Sequence, residues 1–302
     1  MQKNEIMTEP CRLCPRSCRA DRSRGKAGYC GMDGTLRLAR AALHMWEEPC
    51  ISGARGSGTV FFTGCGLRCI YCQNREIALG RQGKAITVER LADIFLELEQ
   101  KGAANINLVT GTQYVPQILT ALEDAKARGM KLPVVYNTSG YERPEILRLL
   151  EGYVDIYLPD CKYMEASLAE AFSRAPAYPE VVKRALAEMF RQVGPPKLDA
   201  QGYARKGMIV RHLILPGHTT NSRKVLEYLY QTYGDDIMIS IMNQYTPVYP
   251  QEKYPELNRR VTAREYNKVL DYAISLGIVH AYIQEGKTAE ESFIPEFDFE
   301  GV

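Results

Sequence analysis

Six short runs dense in Val, Ile, Leu and aromatic residues recur along the chain, at Thr59–Phe62, Ile106–Thr110, Pro133–Asn137, Asp155–Pro159, Met208–Leu215 and Ile237–Met242. Their apolar character is nearly continuous and does not alternate, which suits parallel strands buried on both faces. Amphipathic segments lie between them. Val88–Lys101 sets Leu91, Ile94, Phe95 and Leu98 on one helical face behind Thr87 as N-cap. A second segment starts with Pro116 near N1 and ends at Gly129, a third (Pro144–Glu151) ends at Gly152, and Pro179–Val193 ends at Gly194. Thr262-Ala-Arg-Glu265 forms a capping box ahead of Tyr266, Val269, Leu270 and Ala273. Strands alternating with helices predict right-handed βαβ units, and about six units predict an incomplete α/β barrel, a partial (βα)6 TIM-like fold of parallel strands. Chemistry in such sheets gathers beyond the carboxyl ends of the strands. Residues 195–207 read as a polar loop and are expected to be a mobile rim element.

Directly after the first of these strands come Cys65, Cys69 and Cys72, spaced C-x3-C-x2-C. Three thiolates this close can hold three corners of a cubane iron–sulfur cluster, whereas a purely structural 4Fe–4S cluster normally has four. One iron is then left open, as one position is left open on a catalytic zinc. Tyr71 adds a flat ring against which an adenine can lie. A structural zinc site takes its ligands from two cysteine pairs, and no second pair lies near this loop. A disulfide framework does not suit a chain of 302 residues whose first ten residues lack the apolar stretch of an export signal.

Composition narrows the setting. A formal net charge of +2 argues against nucleic-acid binding through charge, and no apolar run reaches the ~18 residues of a membrane span. Nine cysteines without an export signal predict a reducing, cytoplasmic compartment and metal or redox chemistry. Residues 1–50 read as a cysteine-rich module and 51–302 as the barrel domain. Cys11, Cys14, Cys18 and Cys30 form C-x2-C-x3-C-x11-C among six basic residues and one acid. Two fillings fit this set, a zinc ion or a second, closed 4Fe–4S cluster. Cys50 and Cys161 are most simply buried thiols. Gly53-Ala-Arg-Gly-Ser-Gly58 precedes its strand, so it lacks the strand–loop–helix order of a phosphate loop.

With its cysteine loop on the rim of a barrel, the chain resembles the radical S-adenosylmethionine (SAM) superfamily over residues 58–285. Within it the likeness is to the pyruvate formate-lyase activating enzyme group, and more narrowly to its uncharacterised homologue branch. The stretches that carry it are Glu47–Gly53, Gly56–Cys65, Cys72–Asn74, Asn107–Thr110, Tyr157–Asp160, Met242–Pro247 and Tyr282–Gly286. The resemblance implies a 4Fe–4S cluster on Cys65, Cys69 and Cys72, with SAM chelating the open iron. It implies reductive cleavage to a 5′-deoxyadenosyl radical, hydrogen abstraction from a glycyl-radical enzyme, and a flavodoxin or ferredoxin as electron donor. SAM contacts are expected from Thr110, Thr112 and Gln113, where the family's Gly-Gly-Glu type stretch is replaced and loses its carboxylate. They are also expected from Asn137, Thr138 and Ser139, from Asp160 and Lys162, and from Arg211 and Asn243. Radical modification of a small molecule or peptide, and a non-catalytic metal-binding interaction module, are the alternative functions.

Overall fold

The computed structural model describes residues 10–284 and 295–302. Expectations resting on residues 1–9, or on Glu285 and Gly286, lie outside the described residues. Among the described residues ten strands make one sheet: β1 (Arg37–His44), β2 (Ser57–Phe62), β3 (Lys84–Ala85), β4 (Ile106–Val109), β5 (Val134–Thr138), β6 (Ile156–Pro159), β7 (Lys197–Leu198), β8 (Ala204–Leu213), β9 (Met238–Met242) and β10 (Ala281–Ile283). Their order is β10-β9-β8-β6-β5-β4-β2-β1-β3, with β7 paired to β8. All pairings from β2 across to β10 are parallel. The sheet does not close on itself, so the fold is a partial, mostly parallel α/β barrel.

The six predicted strands are all present, and several expectations need correction. A seventh parallel strand, β10, follows the sixth; at three residues it is too short to show a period. Residues 195–207 are not a rim element. Lys197–Leu198 pairs antiparallel with β8 just before that strand enters the sheet, which places the hairpin at the amino ends of the strands, opposite the cysteine loop. Gly207 sits there at φ +122°, and a Cβ on it would lie 2.3 Å from Pro196 Cα. The described part of the first 50 residues does not stand apart from the sheet either, because β1 runs antiparallel along β2 from Leu38 to His44.

Helices cover the outer face. Val88–Gln100 is capped by Thr87, whose hydroxyl accepts the Arg90 N–H at 3.1 Å. Val115–Ala127 and Tyr178–Val193 each begin with a proline in the first turn, and Ala263–Leu276 carries the expected capping box. The segment from Pro144 is shorter than expected, one α turn to Leu147 followed by a 3-10 turn over Arg148–Leu150. Outward residues such as Val60, Phe62, Leu108, Tyr136 and Val210 join the helices in the main core.

Inside the barrel a second, smaller core forms. Val135, Ile156, Leu158 and Ile209 point inward and pack on Cys50 and Ile51 of the one-turn helix Pro49–Ser52. That turn plugs the amino end of the barrel and is tied down by Asn105, whose amide donates to the Ile51 carbonyl at 2.8 Å. At the sheet's other margin, Pro295–Val302 runs beside β1. Ala41 N–H donates to the Glu300 carbonyl at 2.8 Å, and the Phe297 ring meets Phe61 edge-on at 5.5 Å. Ile51 is fully buried, so Ile51→Ala is expected to cost about 2–4 kcal/mol by urea unfolding; a loss under about 0.5 kcal/mol would show that the plug does not hold the floor.

Candidate active site

Beyond the plug, the barrel encloses a cavity of ≈410 Å³. Parallel pairing brings several strand ends to its wall: Thr110 after β4, Asn137, Thr138 and Ser139 at the end of β5, and Asp160 and Lys162 after β6. Cys65, Cys69 and Cys72 open onto the same space from the loop after β2, with Phe61, Leu67 and Val109 as apolar wall. Burial, then the neighbouring Cys69 and Cys65, push the Cys72 thiol up to about 12. Lys162 faces this thiol group and is ion-paired with Asp160 at 2.5 Å. Burial alone would lower the Lys162 ammonium; Asp160, followed by Cys69, more than reverses it and holds the pKa above the usual lysine range.

The floor of the cavity is ionic. Arg211 Nε and Nη2 donate to Glu48 at 2.8 and 2.7 Å, and Nη2 also pairs with Glu47. Glu47 in turn accepts from the Asn107 amide at 3.0 Å. Burial would raise the Glu48 carboxyl, but the charge and hydrogen bonds of Arg211 hold it below the usual carboxylate range. Arg211 and His212 point to opposite faces, as alternation requires. Arg211 lines the cavity, while His212 is buried on the helix side with Nδ1 2.7 Å from the Cys161 carbonyl. Burial takes His212 down to about 4, so it is neutral at physiological pH.

Several expected site residues lie elsewhere. Tyr71 is not on the cavity wall; its ring packs edge-on against Phe172 and Tyr245, and its hydroxyl meets Tyr163 at 2.7 Å. The apolar box behind the loop competes for that ring and wins it. Gln113 is turned away as well. Its amide donates to the carbonyls of Thr63, Gly64 and Thr110 at 2.9, 3.0 and 2.9 Å, tying the ends of β2 and β4 together. Thr112 and Thr138 both donate to Glu142 Oε1 at 2.5 Å, so Thr112 also serves the scaffold. Asn243 is off the wall, and its neighbour Gln244 is on it. Arg211 is at the wall, yet only its Nη1 edge is uncommitted to carboxylates, with Asn137 Oδ1 at 3.5 Å.

Sequence reasoning gave no role to Glu47, Glu48 or Glu142. The first two carry a signal, adjacent acids directly before an apolar Pro-Cys-Ile turn. Glu142 carries none, because one of its partners, Thr112, lies in a turn thirty residues earlier. Thr110 holds a left-handed backbone at φ 60°, unusual for a branched residue, and presents its carbonyl to Gln113. Cys50 and Cys161 are buried free thiols, as expected.

Residues 10–36 lie over this rim. Gly64 and Gly66, on either side of Cys65, lack the side chains that would block them: a Cβ would sit 2.3 Å from Met32 Cγ at the first and 3.2 Å from Cys14 Sγ at the second. Arg143 reaches the Arg12 carbonyl at 2.9 Å. Among the described residues, no three His, Cys, Asp or Glu side chains converge as they stand on a single metal ion. No described helix is long and apolar enough to cross a membrane.

The family model for the radical SAM superfamily matches residues 59–229, more than half of the sequence, and the chain belongs to that superfamily. The uncharacterized protein MJ0674 of Methanocaldococcus jannaschii is 28% identical over 271 residues, covering 87% of this chain and 74% of that protein. Among solved structures, Streptococcus suis SuiB bound to precursor peptide SuiA is similar with a TM-score of 0.48 at 13% identity, over 74% of this chain and 47% of SuiB. HydG, a maturase of the FeFe-hydrogenase, is similar with a TM-score of 0.48 at 15% identity, over 75% of this chain and 51% of HydG. The chain thus spans about half the length of these solved structures. The family implies a 4Fe–4S cluster and SAM. The donor chemistry fits them, since three soft thiol ligands stand beside a space large enough for a cofactor.

Two variants test the electrostatics. Burial lifts the Glu142 carboxyl to about 7, so the folded state binds its proton more tightly than the unfolded chain. That stability is present below the unfolded pKa near 4.5 and is lost as pH rises through 7. Glu142→Gln is expected to remove this slope and to stabilise the protein above pH 8, by something on the order of 3 kcal/mol; unchanged pH dependence in thermal unfolding would refute it. Arg211→Ala leaves Glu47 and Glu48 buried and unpaired, and should cost about 3–5 kcal/mol in chemical denaturation.

Proposed function

We propose that this protein is a radical SAM enzyme in which Cys65, Cys69 and Cys72 hold the 4Fe–4S cluster and SAM occupies the cavity at the ends of β4, β5 and β6. One observation carries this reading: the three thiols open onto the same space as Asn137, Ser139, Asp160 and Lys162. When bound, cluster and SAM supply one-electron reductive cleavage of the sulfonium and abstraction of a hydrogen atom from the substrate.

The chain's own residues provide the setting. Lys162 sets a positive charge against the negative charge of three thiolates, and Asp160 fixes the direction of that ammonium. Lys162 is also the readier partner for the SAM carboxylate, because Arg211 is already committed to Glu47 and Glu48. Arg211 acts instead as the counter-charge of the floor. Asn137 and Ser139 offer neutral donors and acceptors to the ribose and the methionyl end of SAM. Thr110 lies at the same rim for the methionyl ammonium. Phe61, Leu67 and Val109 keep the wall dry, which strengthens each of these charge contacts.

For the substrate, motif resemblance supports activation of a glycyl-radical enzyme, with a flavodoxin or ferredoxin as donor. The second reading is modification of a small molecule or peptide. It is supported by the cavity, whose ≈410 Å³ falls within the range of small-molecule sites, about 300–1,000 Å³. Anaerobic reconstitution with iron and sulfide tests the chemistry. The native chain should form 5′-deoxyadenosine from SAM and reductant, and Cys69→Ala should lose both the cluster and this product. Iron and SAM cleavage retained in Cys69→Ala would overturn the site. An organic radical appearing on a partner chain supports the activase reading, and turnover with a metabolite alone supports the other.

A further inference from the structure

Residues 10–36 contain one three-residue 3-10 turn, Arg22–Arg24, and their buried side chains with apolar character are Leu13, Cys30, Met32 and Leu36. So little apolar surface does not hold a segment in shape, and units this small are normally stapled by disulfides or metal. All four cysteines of the segment are free thiols. They do not scatter. Cys11, Cys14, Cys18 and Cys30 border one internal space of ≈20 Å³, and Cys65 touches the same space. Cys18 and Cys30 stand together where Gly28 has no side chain; a Cβ there would lie 3.1 and 3.7 Å from their Sγ atoms.

We propose that Cys11, Cys14, Cys18 and Cys30 bind a single tetrahedral, thiolate-seeking divalent ion of the zinc type, and that this ion staples the segment onto the loop carrying Cys65. The inference rests on the reading of Cys65, Cys69 and Cys72 as cluster ligands. The small size of the space favours the single ion among the two fillings that the spacing allowed. A space of about 20 Å³ holds little more than one water or ion, whereas the space beside the Cys65 set is some twenty times larger. Since no three thiols converge on one point as they stand, binding draws them inward about χ1, and each releases its proton as it ligates. Arg22, with Nη1 4.0 Å from Cys11 Sγ, offsets the negative charge of the thiolate set.

Arg16 is the mechanical link. Its Nε donates to the Gly66 carbonyl at 2.8 Å, Nη2 donates to the Ser173 carbonyl at 2.7 Å, and Nη1 pairs with the Arg174 carbonyl. The guanidinium also lies 4.2 Å from the Tyr29 ring centre. Tyr29 immediately precedes Cys30 and Gly66 immediately follows Cys65, so the position of one metal ligand is transmitted to the other.

The test uses the full chain, reconstituted anaerobically with iron and sulfide in the presence of zinc, with metals counted by mass spectrometry. The native protein should hold about one zinc and about four irons. Cys30→Ser should lose the zinc and keep the irons, and amide exchange over Gly64–Leu67 should quicken at least tenfold. If Cys30→Ser fails to fold, the exposed Cys18→Ser is read in the same way. Zinc absent from the native chain, or retained by these variants, overturns the site. About eight irons falling to four in Cys30→Ser overturns the single ion in favour of a second cluster, and unchanged exchange overturns the staple. Cys69→Ala separates this inference from the one beneath it, because an iron count undiminished from that of the native chain refutes the cluster reading whatever the zinc count.

Discussion

Parallel pairing of β2, β4, β5, β6 and β8 is the constraint on which the rest of this structure depends. Parallel strands all present their carboxyl ends to one rim, and each needs a crossover of its own to return. The side chains that follow the strands are therefore gathered without being close in sequence. Cys65, Thr110, Ser139 and Asp160 are spread over almost a hundred residues and line one cavity. The antiparallel β1 obeys a different logic. By running backwards along β2 it delivers Glu47, Glu48 and the Pro49–Ser52 turn to the opposite end, where they become the floor.

The floor and the rim are built from opposed electrostatics. At the floor, two carboxylates share one guanidinium, and removing either kind of partner would strand a largely buried charge. At the rim, Lys162 is paired with Asp160 yet faces a group of thiols, so positive charge is already in place where anionic ligands gather. Glu142 is the exception among these charges. It has two threonine hydroxyls but no cation, and it is the group whose proton the fold retains.

Glycine decides how closely the amino-terminal segment approaches the cysteine loop. At Gly64 the backbone adopts φ +91° and Met32 fills the place a side chain would need, while at Gly66 the filling group is Cys14. Arg16 then ties the segment to its neighbours through the Gly66 and Ser173 carbonyls. Two sets of cysteines, far apart in spacing logic, end on either side of the same few residues.

What the sequence determined by itself was whatever depends on near neighbours. The six parallel strands show in unbroken apolar runs, and the helix from Ala263 shows in its capping box. The cysteine loop shows in spacing that local geometry makes meaningful. The opposite faces of Arg211 and His212 follow from strand alternation alone. The tertiary structure decided everything set by competition among distant groups. Tyr71 was taken into an aromatic box by Phe172 and Tyr245, Gln113 was taken by three carbonyls just past the ends of two strands, and Arg211 was taken by Glu47 and Glu48. In each case the residue type was suited to cofactor contact, and at least one of its partners was encoded tens of residues or more away. Spacing in sequence carries no record of which of two suitable partners lies nearer once the sheet has curled, because that distance is fixed only by packing.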